Sequence, residues 1–151
     1  MKQQYVCGFL FSEDRKEIAL IVKKKPKWQE GKVNGIRGKM EEKDTLKSIN
    51  HRGVTNCTPI TYAMSREFKE ETGVDIHPYE WHHYATINGS DYTCNFLRAF
   101  GDPWECQTME EEEIIVINVE ALDMYDHIPN LRYLIPMALD KSIHHVTIEE
   151  L

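Results

Sequence analysis

Glu67, Glu70 and Glu71 stand three and four positions apart in the run Arg66-Glu67-Phe68-Lys69-Glu70-Glu71-Thr72-Gly73-Val74. Residues at that spacing share one face of a helix. Three carboxylates gathered there repel one another, and burial would raise their pKa values and cost stability. A divalent cation resolves both difficulties, because hard ions take carboxylate oxygens and Mg²⁺ often joins a few carboxylates to phosphate groups. Ile60, Ala63 and Met64 lie upstream on the same side, so an apolar face turns acidic in its last two turns. The plainer reading is a solvated helix end with Arg66 and Lys69 as surface partners.

The flanking residues define the helix that would hold these groups. Thr58-Pro59 is a start signal: a hydroxyl to cap free N–H groups, then a proline whose missing N–H costs nothing there. Gly73 is a stop, able to take the left-handed conformation that ends helices. The spacing predicts a helix from about Pro59 to about Thr72. Before it, residues 5–11 and 17–23 read as strands, and 33–36 as a short extended piece leading to Gly38. Residues 45–57 show no sustained periodicity and read as an extended loop, predicted to be mobile and outside the core. After the helix, 74–76 and 81–87 read as extended, Asn88-Gly89 as a hairpin turn into 92–100, and 114–119 as another strand. A last helix is expected over 130–141, with Leu131, Leu134, Ile135 and Ala138 at core spacing. Strands on both sides of one helix, plus a C-terminal helix, imply an α/β fold: a mixed sheet covered by helices on two faces, in one domain over 1–151.

The run from Arg66 to Val74 resembles the second half of the signature of the Nudix hydrolase superfamily, REUxEExGU with U apolar, at every fixed position. The first half is a glycine, five residues and a Glu. Gly38 through Asp44 has that spacing, with Asp44 in place of Glu. The family expects seven residues before the Arg, whereas this chain has the twenty-one of 45–65. The excess reads as an insertion over 45–57 in the signature loop, and a surface loop lengthens at modest entropic cost. The stretches Lys23-Lys24-Lys25, Val33 through Lys39 and Ile128 through Pro136 are similar to the MutT-like branch.

This resemblance implies a Nudix α/β/α sandwich and a nucleotide substrate. It implies Mg²⁺ or Mn²⁺ held by Glu67, Glu70, Glu71 and the Gly38 carbonyl. Glu70 is expected to act in catalysis, and Arg66 to orient the glutamates. One residue of the run Glu110-Glu111-Glu112-Glu113 is expected to add a metal ligand or base, with Glu111 in the best register and Glu112 next. Asn34 and Asn130 fall where the branch contacts the base. Lys23 is a candidate for steering phosphate, and Trp28 for stacking on the base. The implied reaction is hydrolysis of a nucleoside triphosphate-like substrate to the monophosphate and pyrophosphate. The alternatives are a pyrophosphatase for ADP-ribose or another nucleoside diphosphate derivative, an RNA-cap substrate, and a nucleotide-sensing domain without turnover.

Other features narrow the classes. A formal net charge of -7 argues against a large nucleic-acid-binding surface, which needs excess Lys and Arg to displace counterions. It leaves a small phosphate ligand open, since a bound metal inverts the local field. Cys7, Cys57, Cys94 and Cys106 lack metal-site spacing and read as buried free thiols. The pairs His82-His83 and His144-His145 put adjacent side chains on opposite faces of a strand, which disfavours a metal site from either pair. Neither a signal peptide nor a membrane span is legible, so a cytoplasmic location is the default expectation. A homodimer is compatible with all of this.

Overall fold

The fold is organised around a strand covered on both faces. In the computed structural model, which describes residues 2–49 and 57–150, β1 spans Gln3–Ser12 and everything from Val6 to Phe11 is buried. Val6 and Leu10 face one layer while Cys7, Phe9 and Phe11 face the other, as the two-residue repeat of a strand requires. The first loop leads into β2 (Glu17–Val22), which runs antiparallel to β1 with Leu10 opposite Ala19. Two short strands follow, β3 (Val33–Asn34) beside β2 and β4 (Ile36–Lys39) antiparallel to the first half of β1.

Helices α1 (Glu42–Ile49) and α2 (Pro59–Thr72) come next. They precede the hairpin of β5 (His82–Asn88) and β6 (Tyr92–Gly101), which closes through Gly89 N–H to Tyr92 C=O at 2.8 Å. β6 lies parallel to β1 over its whole length. β7 (Glu113–Asn118) pairs antiparallel with β2, α3 covers Leu131–Leu139, and β8 (Val146–Glu149) adds a parallel edge to β5. The result is a mixed sheet with a layer on each face. Ala63, Met64 and Phe68 of α2 pack with Val6, Leu10, Ile21, Trp81 and Leu97 on one side. Leu131, Leu134 and Ile135 of α3 pack with Phe9, Phe11, Leu20 and Tyr84 on the other. Among the described residues, no helix is long and apolar enough to cross a membrane.

The expected loop over 45–57 is corrected in its first part, because α1 occupies 42–49. The cause is local: Asp44 accepts a hydrogen bond from the Glu41 N–H at 2.8 Å, capping the helix start, and Glu42 and Asp44 suit its positive end. Its buried residues are the polar Asp44 and Ser48, while Leu46 and Ile49 are exposed, so hydrophobic periodicity carries no signal for it. Residues 50–56 lie outside the described residues, and Cys57, the last of that stretch, is buried rather than outside the core. β8 was also absent from the sequence reading, since only Val146 and Ile148 mark its half-buried face.

Each of the paired histidines meets a partner from the C-terminal segment. The rings of His82 and His144 are 5.0 Å apart, and those of His83 and His145 4.9 Å. Burial, reinforced by His145, pushes the His83 pKa down to about 4. The neutral ring is therefore the form the fold accepts. Its contribution to stability is complete above an unfolded-state pKa of about 6.5 and is lost as pH falls toward 4. Unfolding free energy is expected to drop over that window by about 1–2 kcal/mol more in wild type than in His83→Gln, after allowance for partial exposure. Urea unfolding at pH 7.5, 5.5 and 4.5 measures this, and equal losses in the two proteins would refute it.

Candidate active site

Helix α2 begins and ends where its residues dictate. The Thr61 N–H donates to Thr58 Oγ1 at 3.3 Å, the Thr58 N–H donates to Thr61 Oγ1 at 2.9 Å, and Pro59 fills the first turn. Gly73 closes it at φ 77°, a left-handed geometry that a Cβ would strain. Phe68 anchors the apolar side, meeting Trp81 edge-on at 5.4 Å between ring centres. With that side against the sheet, Glu67 and Glu71 turn toward a cavity of about 1010 Å³. Gly38 lines the same cavity, and a Cβ built on it would overlap the Glu67 carboxyl group. Only glycine lets β4 approach the carboxylate this closely.

Arg66 ties the acidic groups together. It forks onto Asp44, Nε to Oδ1 at 2.9 Å and Nη2 to Oδ2 at 3.0 Å, and also donates to the Lys39 carbonyl. Its Nη1 reaches Glu67 at 2.7 Å, Glu41 at 2.8 Å and Glu70 at 3.6 Å. The Asp44 bonds lead in holding its charge on, against the cost of burial. One guanidinium thus serves four carboxylates, which leaves the cluster short of positive charge. Burial raises the Glu67 pKa while Arg66 opposes the rise. Burial, with Glu67, Glu112 and Glu110 adding to it, pushes Glu71 up to about 7. Glu71 Oε2 is buried and has no hydrogen-bond partner.

Across the cavity, Glu112 is held by Lys23 Nζ at 3.0 Å and the Lys24 N–H at 2.6 Å. Burial raises its pKa, but these donors outweigh burial and leave it below the ordinary value. Neutral polar groups line the cavity as well. Asn34 is buried with its Oδ1 on the Gly35 N–H at 2.8 Å, Asn130 Oδ1 is buried without a partner, and Trp28 stands exposed at the rim. Arg37 lies over the Tyr5 ring, 4.5 Å from its centre, on another wall.

The structure therefore gathers Lys23, Trp28, Asn34, Gly38, Glu67, Glu71, Glu112 and Asn130 around one cavity. It separates others. Glu70 is half-exposed and, with Arg66, lines a second, neighbouring hollow rather than this cavity. Glu111, the favoured register, is exposed and outside the cavity lining, and its neighbour Glu112 takes that place because Lys23 and the Lys24 amide draw it in. Asp44 holds Arg66 from a fully buried position, a role that its spacing from Gly38 does not itself reveal. Glu41, Gln29, Tyr5 and Arg37 were not singled out in the sequence, and nothing in their local pattern distinguishes them. Cys7, Cys57 and Cys94 are buried and free, with burial driving the Cys94 thiol up to about 12, as expected of structural thiols.

Among the described residues, no three His, Cys, Asp or Glu side chains converge closely enough to hold an ion as they stand. The donor chemistry nevertheless fits a hard cation. Glu71 has a buried oxygen with no partner, Glu67 adjoins it, and both are carboxylates in a site lacking positive charge.

No family model matches the sequence, and no curated protein matches it. Solved structures do match. A MutT structure from work on Aliivibrio salmonicida and Vibrio cholerae shares 17% identity at a TM-score of 0.68, covering 92% of this chain and 98% of that one. MutT from Bacillus halodurans shares 15% at 0.65, covering 97% and 89%. The NUDIX domain of Shewanella oneidensis NrtR, solved with ADP ribose, shares 15% at 0.67, covering 90% and 85%. The mixed sheet sandwiched between helical layers thus has a MutT-like Nudix hydrolase fold.

Proposed function

We propose that this protein is a divalent-cation-dependent pyrophosphohydrolase that converts a nucleoside triphosphate-like substrate to the monophosphate and pyrophosphate. The observation that carries the reading is the buried, unpartnered Glu71 Oε2 beside Glu67, in a cavity that the amides Asn34 and Asn130 also line. Glu67, Glu71 and the Gly38 carbonyl would hold Mg²⁺ or Mn²⁺, with Glu70 joining from the edge of the face. When bound, the ion supplies charge neutralisation at the diphosphate and makes water more acidic.

The chain's own residues do the rest. Lys23, Lys25, Arg37 and Lys39 line the cavity and draw phosphate into a protein of negative net charge. A carboxylate of the α2 face takes the proton of the attacking water. Glu112, held below the ordinary pKa, is a weak base and serves better as a fixed negative charge near the cation. Arg66 positions the glutamates by charge-assisted bonds, and Asn34, Asn130 and Trp28 contact the base. A cytoplasmic location suits such a substrate.

A second reading, cleavage of ADP-ribose or a related nucleoside diphosphate derivative, is favoured by the cavity's extension from the glutamates past Arg37 to Tyr92. A panel of nucleoside triphosphates and ADP-ribose, assayed for pyrophosphate and phosphate release, separates the two. Pyrophosphate release that needs Mg²⁺ and stops with EDTA is the expected result. Turnover of ADP-ribose alone would replace the first reading with the second, and tight binding without turnover would make the protein a sensor.

A further inference from the structure

Three buried side-chain atoms among the described residues lack a hydrogen-bond partner: Glu71 Oε2, Asn130 Oδ1 and Gln29 Oε1. All three belong to residues lining the same cavity. Glu71 is accounted for above, and Asn130 lies where a base was expected. Gln29 has no such account. It ends the short 3-10 turn Lys27–Gln29, is 4% exposed, and sits beside the exposed Trp28. Its backbone is fixed on both sides: the Gln29 N–H donates to Pro26 C=O, and its carbonyl accepts from the Lys32 N–H, each at 2.9 Å. The turn therefore carries a carboxamide into the cavity wall without giving its oxygen a partner. A buried polar group in that state is costly unless something else completes it.

The neighbouring amides indicate what completes it. Asn34 has its oxygen engaged by the Gly35 N–H, which leaves its NH₂ as the group it can offer. Gln29 and Asn130 both offer unpartnered oxygens. Two buried, unpartnered side-chain oxygens, Gln29 Oε1 and Asn130 Oδ1, therefore lie in a wall that Asn34 and Trp28 share. We propose that Gln29 is a specificity-determining residue whose side-chain oxygen accepts a hydrogen bond from an amino group on a planar heterocyclic base, acting with Asn130. This rests on the nucleotide reading above. It adds to that reading a requirement on the ligand: an N–H donor must face Gln29 Oε1. A site that bonds an amino group rejects the analogue lacking it more strongly than an apolar pocket would, because the vacated oxygens are then left unpaired.

The test uses pairs of nucleotides that differ by one amino group, guanosine against inosine and adenosine against purine riboside. Binding of the monophosphates is followed by calorimetry and hydrolysis of the triphosphates by kcat/KM, in wild type and in Gln29→Met, which keeps the length of the side chain but removes its amide. Wild type should favour the amino-bearing member of at least one pair by about tenfold or more in both measurements. Gln29→Met should cut that preference to within about twofold, through weaker handling of the amino-bearing member. Gln29→Glu, which keeps an acceptor, should retain the preference. Hydrolysis without discrimination would overturn this proposal and leave the proposed function intact. Discrimination in binding without hydrolysis would do the reverse. A Gln29→Met protein with an altered melting temperature and an unchanged preference would show that an ordered water completes the amide, which also overturns it, as would binding of no nucleotide at all.

Discussion

Replacing Glu71 by Gln is expected to lower kcat by at least about a hundredfold, while the folded protein stays at least as stable as wild type. The two halves of that expectation have one cause. Glu71 places a buried carboxylate oxygen without a partner beside Glu67 and across from Glu112. In the free protein that arrangement costs stability, because the charge is desolvated and faces like charges. An amide of the same shape removes the charge, and with it most of the cost. What the amide cannot do is supply an anionic oxygen to a divalent cation. A protein that gives up stability at a site used in its reaction shows this trade. Steady-state kinetics with Mg²⁺ and a thermal melt, run on the same preparation, check both. Near-normal turnover in folded Glu71→Gln would remove this residue from the metal site. The same substitution at Glu70, half-exposed and lining the neighbouring hollow, measures how much the third carboxylate of the face adds.

The second large effect is expected at Asp44. Asp44→Ala should lower unfolding free energy by about 1.5–3 kcal/mol, because it removes the forked charge-assisted pair on Arg66 and leaves that guanidinium to its other carboxylates. It also removes the acceptor that caps α1 through the Glu41 N–H. For a chain of this size such a loss lowers the melting temperature by roughly 2–4 °C per kcal/mol. Activity should fall as well, since Arg66 freed from Asp44 redistributes among Glu41, Glu67 and Glu70, which it now holds in fixed proportion. Asp44→Glu should recover both properties, because a second carboxylate can make the same fork with a longer arm. If the Ala variant melts with wild type, the fork contributes little and the pairing is incidental. If it melts low but turns over normally below its melting point, Asp44 supports the fold and does not position the glutamates.

Helix α2 was legible residue by residue, because everything that defines it is near in sequence. Thr58, Pro59 and Gly73 delimit it, Ala63, Met64 and Phe68 orient it, and its observed span is the expected Pro59–Thr72. The strands followed from alternation or apolar runs, and most begin and end within one or two residues of expectation. Where the signal was polar, local reading failed. Helix α1 buries Asp44 and Ser48 and exposes its aliphatic residues, so the pattern that normally announces a helix is inverted.

The acidic run near residue 112 shows the other kind of limit. Four consecutive glutamates look alike in sequence, and what distinguishes Glu112 is a lysine and a backbone amide almost ninety residues away. Sequence alone determined the carboxylate face, its caps and the glycine that precedes it, since helical spacing and capping act within a few residues. The tertiary structure decided that Glu71 lines the cavity while Glu70 lines the hollow beside it, that Asp44 holds Arg66, and that Gln29 Oε1 is buried without a partner. Those outcomes depend on which surfaces β1, β4 and the loop before β3 bring against one another. The free energies of contact, burial and pairing that choose among equivalent side chains exist only once distant segments have met.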